Sequence, residues 1–194
     1  MNKLFFYVEG DHDEIFANFI LADYLRQSKS IELWPIKYAE KPPKLINKDI
    51  KSKSDYNYLF LSDLDTDEHT CITGRKEDRI KNYKYLDWSS IIIVREEIES
   101  WYLAGIDTSL DQFSSLDVPD NTEGIDKETF DEMIKDISEY KKDALIEIAK
   151  NYDFDLAVKR NKSFKYFLDK LDGINYWCFF LFWYFDGCDD GYLN

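Results

Sequence analysis

The chain has 194 residues, 44% of them hydrophobic and 17% aromatic, which supports one domain with a substantial core and speaks against a disordered or low-complexity chain. Its net charge of −14 argues against a protein that coats nucleic acid through bulk electrostatics. Three scattered cysteines, Cys71, Cys178 and Cys188, form no CxxC pair and so make neither a zinc knuckle nor a disulfide framework.

Met1 leads directly into Leu4-Phe-Phe-Tyr-Val8, an apolar run read as a buried strand with no signal pattern before it. A cytoplasmic location without membrane contact is therefore expected, since no stretch approaches the roughly 20 apolar residues of a membrane helix. Asp11 and Glu14 have the spacing of a capping box, and Ile15, Phe16, Phe19, Ile20 and Tyr24 follow as a helical stripe. Ile31 to Ile36 reads as a second strand, followed by the Pro42-Pro43 break and a basic stretch of helical character. Tyr58-Leu-Phe-Leu61 is a third strand running into Ser62-Asp-Leu-Asp65, and Ile91-Ile-Ile-Val94 a fourth after a polar, basic segment. Glu96 to Ala104 is expected to be a helix stopped by Gly105.

Alternating strands and helices up to about residue 106 predict a parallel α/β sheet flanked by helices. After a loop at residues 107–125 the pattern turns helical, over Glu128 to Ile148 and Phe154 to Leu171. The division expected is an α/β domain at 1–106 and a helical C-terminal extension at 107–194. That extension ends in Tyr176 to Phe185, aromatic at eight of ten positions.

Glu9 ends the first strand, Asp13 lies in the first turn of the following helix, and Asp63 and Asp65 end the third strand. In parallel α/β sheets ligands bind at the carboxyl edge, so these four carboxylates converge if strands one and three are neighbours. Like charges a few ångströms apart raise one another's pKa, and a hard divalent cation relieves the conflict. Each residue also has a plainer use: Asp63 and Asp65 as turn or cap residues, Asp13 as a complement to the helix dipole. His12 and His69 are the two histidines, each read first as a surface residue. No GxSxG, Walker A or GxGxxG sequence is present, so any ATPase activity must come from a partner.

The segments Phe6-Tyr-Val-Glu-Gly-Asp-His-Asp-Glu14 and Leu59-Phe-Leu-Ser-Asp-Leu-Asp65 resemble the two signature motifs of the TOPRIM domain. That domain occurs in topoisomerases, primases and the overcoming-lysogenization-defect nucleases, and the acid at position 13 is nearest the last. Val94-Arg-Glu-Glu-Ile-Glu-Ser-Trp-Tyr-Leu-Ala104 and Lys162-Ser-Phe-Lys-Tyr-Phe167 are similar to helices of small stand-alone TOPRIM-like proteins, often encoded beside ATPases in phage-defence loci. The resemblance spans residues 3–171. It implies a TOPRIM-like (Rossmann-like) fold, with Glu9, Asp13, Asp63 and Asp65 as ligands of Mg2+ or Mn2+. Glu9, Asp63, Asp65 and Glu99 are then the catalytic acids. Lys162, or Arg160 after it, would be the basic residue of the site.

The expected function is divalent-metal-dependent cleavage of DNA or RNA phosphodiester bonds, as an anti-phage effector with an ATPase partner. The competing expectation is a catalytically silent interaction subunit of an ATPase complex. An oligomer is compatible with either. Sixteen of the 25 basic residues fall in three short segments, 37–53, 75–84 and 159–170, which are expected to flank the acidic cleft.

Overall fold

The computed structural model of the chain describes residues 2–53, 56–64 and 71–176, with side chains through Gly173. Four strands, β1 (Asn2–Val8), β2 (Ile31–Lys37), β3 (Asn57–Asp63) and β4 (Ile91–Val94), form one all-parallel sheet in the order β2-β1-β3-β4. β1 and β3 are neighbours, with Phe6 opposite Leu59. The chain steps from β1 outward to β2, then back across β1 to β3, so the switch in strand order lies between β1 and β3. Pro35 is accommodated because β2 is an edge strand, where a missing N–H breaks no inner ladder.

Residues alternate across the pleat, and each face buries its own cluster. Tyr7, Phe60, Ile91 and Ile93 face α3 (Pro43–Ser52) and α4 (Ile72–Asn82), packing with Ile46, Ile50 and Tyr83. Leu4, Phe6, Val8, Leu61, Ile92 and Val94 face the larger cluster, shared with α1 (Asp11–Phe16), α2 (Ala22–Lys29) and α5 (Glu99–Ala104). The C-terminal helices α6 (Lys127–Ile134), α7 (Lys141–Lys150), α8 (Phe154–Arg160) and α9 (Lys162–Tyr176) contribute Phe130, Leu145, Ala157 and Phe164 to that same cluster. No helix among the described residues is long and apolar enough to cross a membrane.

Five local features differ from the sequence expectations. The cap of α1 is Gly10 rather than Asp11, and the carboxylate that closes it belongs to Asp13, whose Oδ2 accepts the Gly10 N–H at 2.9 Å. Between α1 and α2 the chain makes a π turn, Ala17–Leu21. The wider turn carries Leu21 into the core and leaves Phe19 49% exposed. The basic segment after Asp65 contains α4, whose N-terminus is capped by the Cys71 Sγ accepting the Gly74 N–H. The expected helix at 128–148 is two helices, α6 and α7, and the one at 154–171 is interrupted at Asn161. The fully buried Asn161 side chain holds Phe164 N–H at 2.9 Å and Thr122 Oγ1 at 3.1 Å, starting α9 while tying it to the loop before α6.

Candidate active site

An aromatic hub lies directly under the carboxyl edge of the sheet. Phe16 meets Tyr102 edge-on at 5.0 Å, and Trp101 stacks on Phe167 at 5.1 Å while its indole N–H donates to Ser163 Oγ. Trp101 is fully buried and has a core role. The Tyr102 hydroxyl donates to the His12 carbonyl at 2.9 Å, fixing the first turn of α1 against α5. Burying each such ring contributes about 2–3 kcal/mol, so the two helix starts are held rigidly relative to one another. Between β4 and α5, Glu96 adopts φ 61°, a left-handed conformation that turns the chain sharply and brings Glu97 and Glu99 over the end of β3.

The result is a cleft of about 290 Å3 bordered by Glu9, Asp13, Asp63, Glu97 and Glu99, with Asp11, His12 and Lys127 at its margin. Glu9, Asp13, Asp63 and Glu99, predicted on four separate segments, are thus brought to one place. Asp65 and His69 lie outside the described residues, as does the aromatic stretch 177–185.

The carboxylates are not equivalent. Asp13 is buried, and burial together with Glu9 and Glu99 pushes its pKa up to about 7, against the lowering effect of the Gly10 N–H. Burial, then Asp13 and Glu9, raise Asp63 well above the usual carboxylate range. One oxygen of each, Asp13 Oδ1 and Asp63 Oδ1, is buried with no hydrogen-bond partner among the described residues. Glu97 is also raised by burial and by Glu99, although its Oε2 accepts the Lys127 N–H at 2.6 Å.

Glu99 behaves oppositely. It is only 3% exposed, yet His12 Nδ1 at 2.8 Å and Lys141 Nζ at 3.1 Å outweigh burial and hold its pKa below the ordinary value. Glu9 is anchored through Oε2, which accepts the Tyr38 hydroxyl at 3.0 Å and lies 3.4 Å from Arg79 Nη2. Arg79 is itself fixed by Nε on Ser62 Oγ at 2.8 Å, one turn beyond Arg75, whose Nε donates to the Asp63 carbonyl at 2.7 Å.

These cations differ from those expected. Lys162 opens α9 with an exposed side chain and does not border the cleft. Arg160 is a structural staple, its Nη1 donating to the carbonyls of Ile106 at 2.6 Å and Ala104 at 3.4 Å. Lys127 borders the cleft, and behind its lining Lys141 contacts Glu99, Arg79 contacts Glu9 and Arg75 holds the Asp63 carbonyl. The i, i+4 spacing of Arg75 and Arg79 was a visible signal once α4 is recognised as a helix; Lys141 had none, because only the packing of α7 on α1 brings it there. The basic segments divide between the two edges of the sheet, with Lys37 paired to Asp11 and Glu14 near the cleft.

Hard carboxylate oxygens in this number suit Mg2+ or Mn2+, and the two unpartnered buried oxygens of Asp13 and Asp63 are what a bound cation would satisfy. No three acidic, histidine or cysteine side chains among the described residues close into a ready cation cage. Compared with protein-family models, with curated proteins and with solved structures, the chain matches none.

Proposed function

We propose that this chain is a divalent-metal-dependent nuclease that hydrolyses phosphodiester bonds of DNA or RNA at the carboxyl-edge cleft. The observation that carries the reading is the pair of buried, unpartnered carboxylate oxygens on Asp13 and Asp63, at adjoining ends of β3 and α1. An isolated buried carboxylate is costly unless something positive meets it. Asp13 and Asp63, with Asp65 from the following residues and Glu9 through its free oxygen, are the proposed ligands. A bound Mg2+ or Mn2+ would supply Lewis-acid stabilisation of the phosphoryl oxygens and lower the pKa of the attacking water. Glu97, held neutral more readily than an ordinary glutamate, is placed to exchange a proton at the cleft. Lys141 and His12 neutralise Glu99 and keep it in place.

The motif resemblance extends the proposal to a TOPRIM-type effector of anti-phage defence working with an ATPase partner. A second reading, a silent interaction subunit of such a complex, is favoured by one observation: Glu9 and Glu99 already have cationic partners. The two are separated by incubating the purified chain, alone and with any ATPase encoded beside it, with plasmid, single-stranded DNA and total RNA in Mn2+ or Mg2+. Cleavage lost in EDTA and in Asp63→Asn supports the nuclease. A folded chain that binds the ATPase and cuts nothing under any of these conditions overturns it.

A further inference from the structure

At the opposite, amino edge of the sheet lies a second and larger cleft, about 720 Å3, between the starts of β3 and β4 and the exposed side of α9. Tyr56, Tyr58 and Tyr166 border it, together with Lys170, the hydroxyls of Ser89 and Ser90, and two acids, Asp87 and Asp169. β1 is seven residues long, so the two edges stand about 23 Å apart and this cleft is separate from the acidic one.

The rings continue beyond the cleft. Tyr56 meets Phe5 edge-on at 5.6 Å, and Phe5 lies 6.5 Å from Trp34 on β2. Tyr56, Tyr85, Trp88, Trp34 and Tyr166 are between 42% and 55% exposed, an unusual concentration of large rings at one surface.

Lysines sit on these rings rather than beside acids. Lys3 lies over Trp34 at 4.7 Å, Lys51 over Tyr85 at 5.1 Å, Lys76 over Trp88 at 5.5 Å and Lys170 over Tyr166 at 5.5 Å. None of the four is within ion-pair distance of a carboxylate among the described residues, in a chain where acids outnumber bases 39 to 25. Lys76 is 7% exposed, and burial and the neighbouring Lys170 both disfavour its charge. Ammonium groups outside ion-pair distance of a carboxylate are available to an added anion. Stacking rings interleaved with unpaired ammonium groups match the two recurring elements of a single strand, its base faces and its phosphates.

We propose that the amino-edge strip binds single-stranded nucleic acid, bases against Tyr56, Tyr166 and Trp34 and phosphates on Lys51 and Lys170. An acidic peptide would meet the lysines but would leave the rings without a use. The strip stands independently of the nuclease reading; if both hold, the nuclease acts on single strands.

The test is fluorescence anisotropy of the full chain with fluorescein-labelled dT15 and U15, in EDTA so that no cleavage enters. Binding in the micromolar range is expected, weakening about 7-fold between 50 and 200 mM salt for the two phosphates held by Lys51 and Lys170. Tyr56→Ala with Tyr166→Ala, both exposed positions, should weaken it at least about tenfold with an unchanged thermal midpoint. Lys51→Ala with Lys170→Ala should flatten the salt dependence. Absence of binding, binding indifferent to the tyrosine pair, a duplex bound as well as dT15, or a polyglutamate peptide that competes equally each overturns the proposal. Because metal is absent, these outcomes are read independently of whether the acidic cleft cuts.

Discussion

Arg75 grips Asp63 by the main chain and leaves its carboxylate unneutralised: Nε lies 2.7 Å from the Asp63 carbonyl oxygen, while Asp63 Oδ1 is buried without a partner. A guanidinium placed one bond further along would have made an ordinary buried ion pair. Instead the strand end is clamped and the acid is kept in an unfavourable state, the arrangement in which local instability serves binding.

Asp63→Asn removes that unfavourable charge. The metal-free variant is expected to melt higher than the parent, by about 3 °C for each kcal/mol relieved, with a larger gain at pH 8 than at pH 5. It should also lose the rise in melting temperature that millimolar Mn2+ or Mg2+ gives the parent. Differential scanning fluorimetry with and without cation measures both. A parent that ignores the cations contradicts the metal site.

The raised carboxylates set an unusual pH dependence. Asp13 binds its proton more tightly folded than unfolded, up to about 7 against an ordinary value near 4, and Asp63 is also raised well above its ordinary range. Between those values the native state holds more protons, so stability contributed here falls as pH rises from about 4 through 7. Glu99, lowered, acts the other way and only at the acid end: its contribution is present above its ordinary pKa and lost as pH falls below it. Metal-free protein should thus be more stable near pH 5 than at pH 8, and saturating Mn2+ should reduce the difference. Urea melts at the two pH values decide it.

Glu99→Ala leaves Lys141 and His12 facing a cavity without their shared carboxylate. A loss of about 3 kcal/mol in unfolding free energy is expected, as when one partner of a buried pair is removed. Lys141→Met, which removes a mostly buried cation, should weaken stability less but raise the Glu99 pKa, seen as a new pH dependence of the melting temperature between about 4 and 6.

Gly105 ends α5 where a Cβ would lie 2.3 Å from the Tyr152 ring. That ring is held by its hydroxyl on the Trp101 carbonyl at 2.8 Å and packs on Phe16, so it has no room to retreat. Gly105→Ala is expected to lose about 2–3 kcal/mol by overpacking, measured by chemical denaturation.

The parallel sheet was legible because each strand is a short run of β-branched and aromatic residues set off by turn residues, and because Glu9 and Asp63 sit where such strands end. Asp13 was legible as an acid of the first turn, though its backbone role was not, since glycine gives no sign of being a cap. What the sequence concealed were groups that arrive through tertiary packing. Lys141 lies 42 residues from Glu99, and Tyr38 reaches Glu9 from the far end of β2. Helix lengths past residue 125 were overrun because Asn161 and Tyr140 interrupt apolar periodicity without a proline or glycine. α4 was missed because its buried face is made of Arg75 and Lys76 rather than of apolar side chains.

The buried Asn161 joint has a consequence for how the molecule comes apart. It binds Thr122, itself fully buried, and Thr122 N–H donates to the Arg160 carbonyl, so the stretch before α6 is sewn to the junction of α8 and α9. A segment with little regular structure therefore shares the fate of the sheet. Amide exchange at Thr122 should be as slow as in β1 and β3, and a protease should find no early cut between residues 120 and 125. Sheet and C-terminal helices are then expected to unfold in one cooperative step, so a ligand or partner would act on the clefts of an intact fold rather than by loosening its halves.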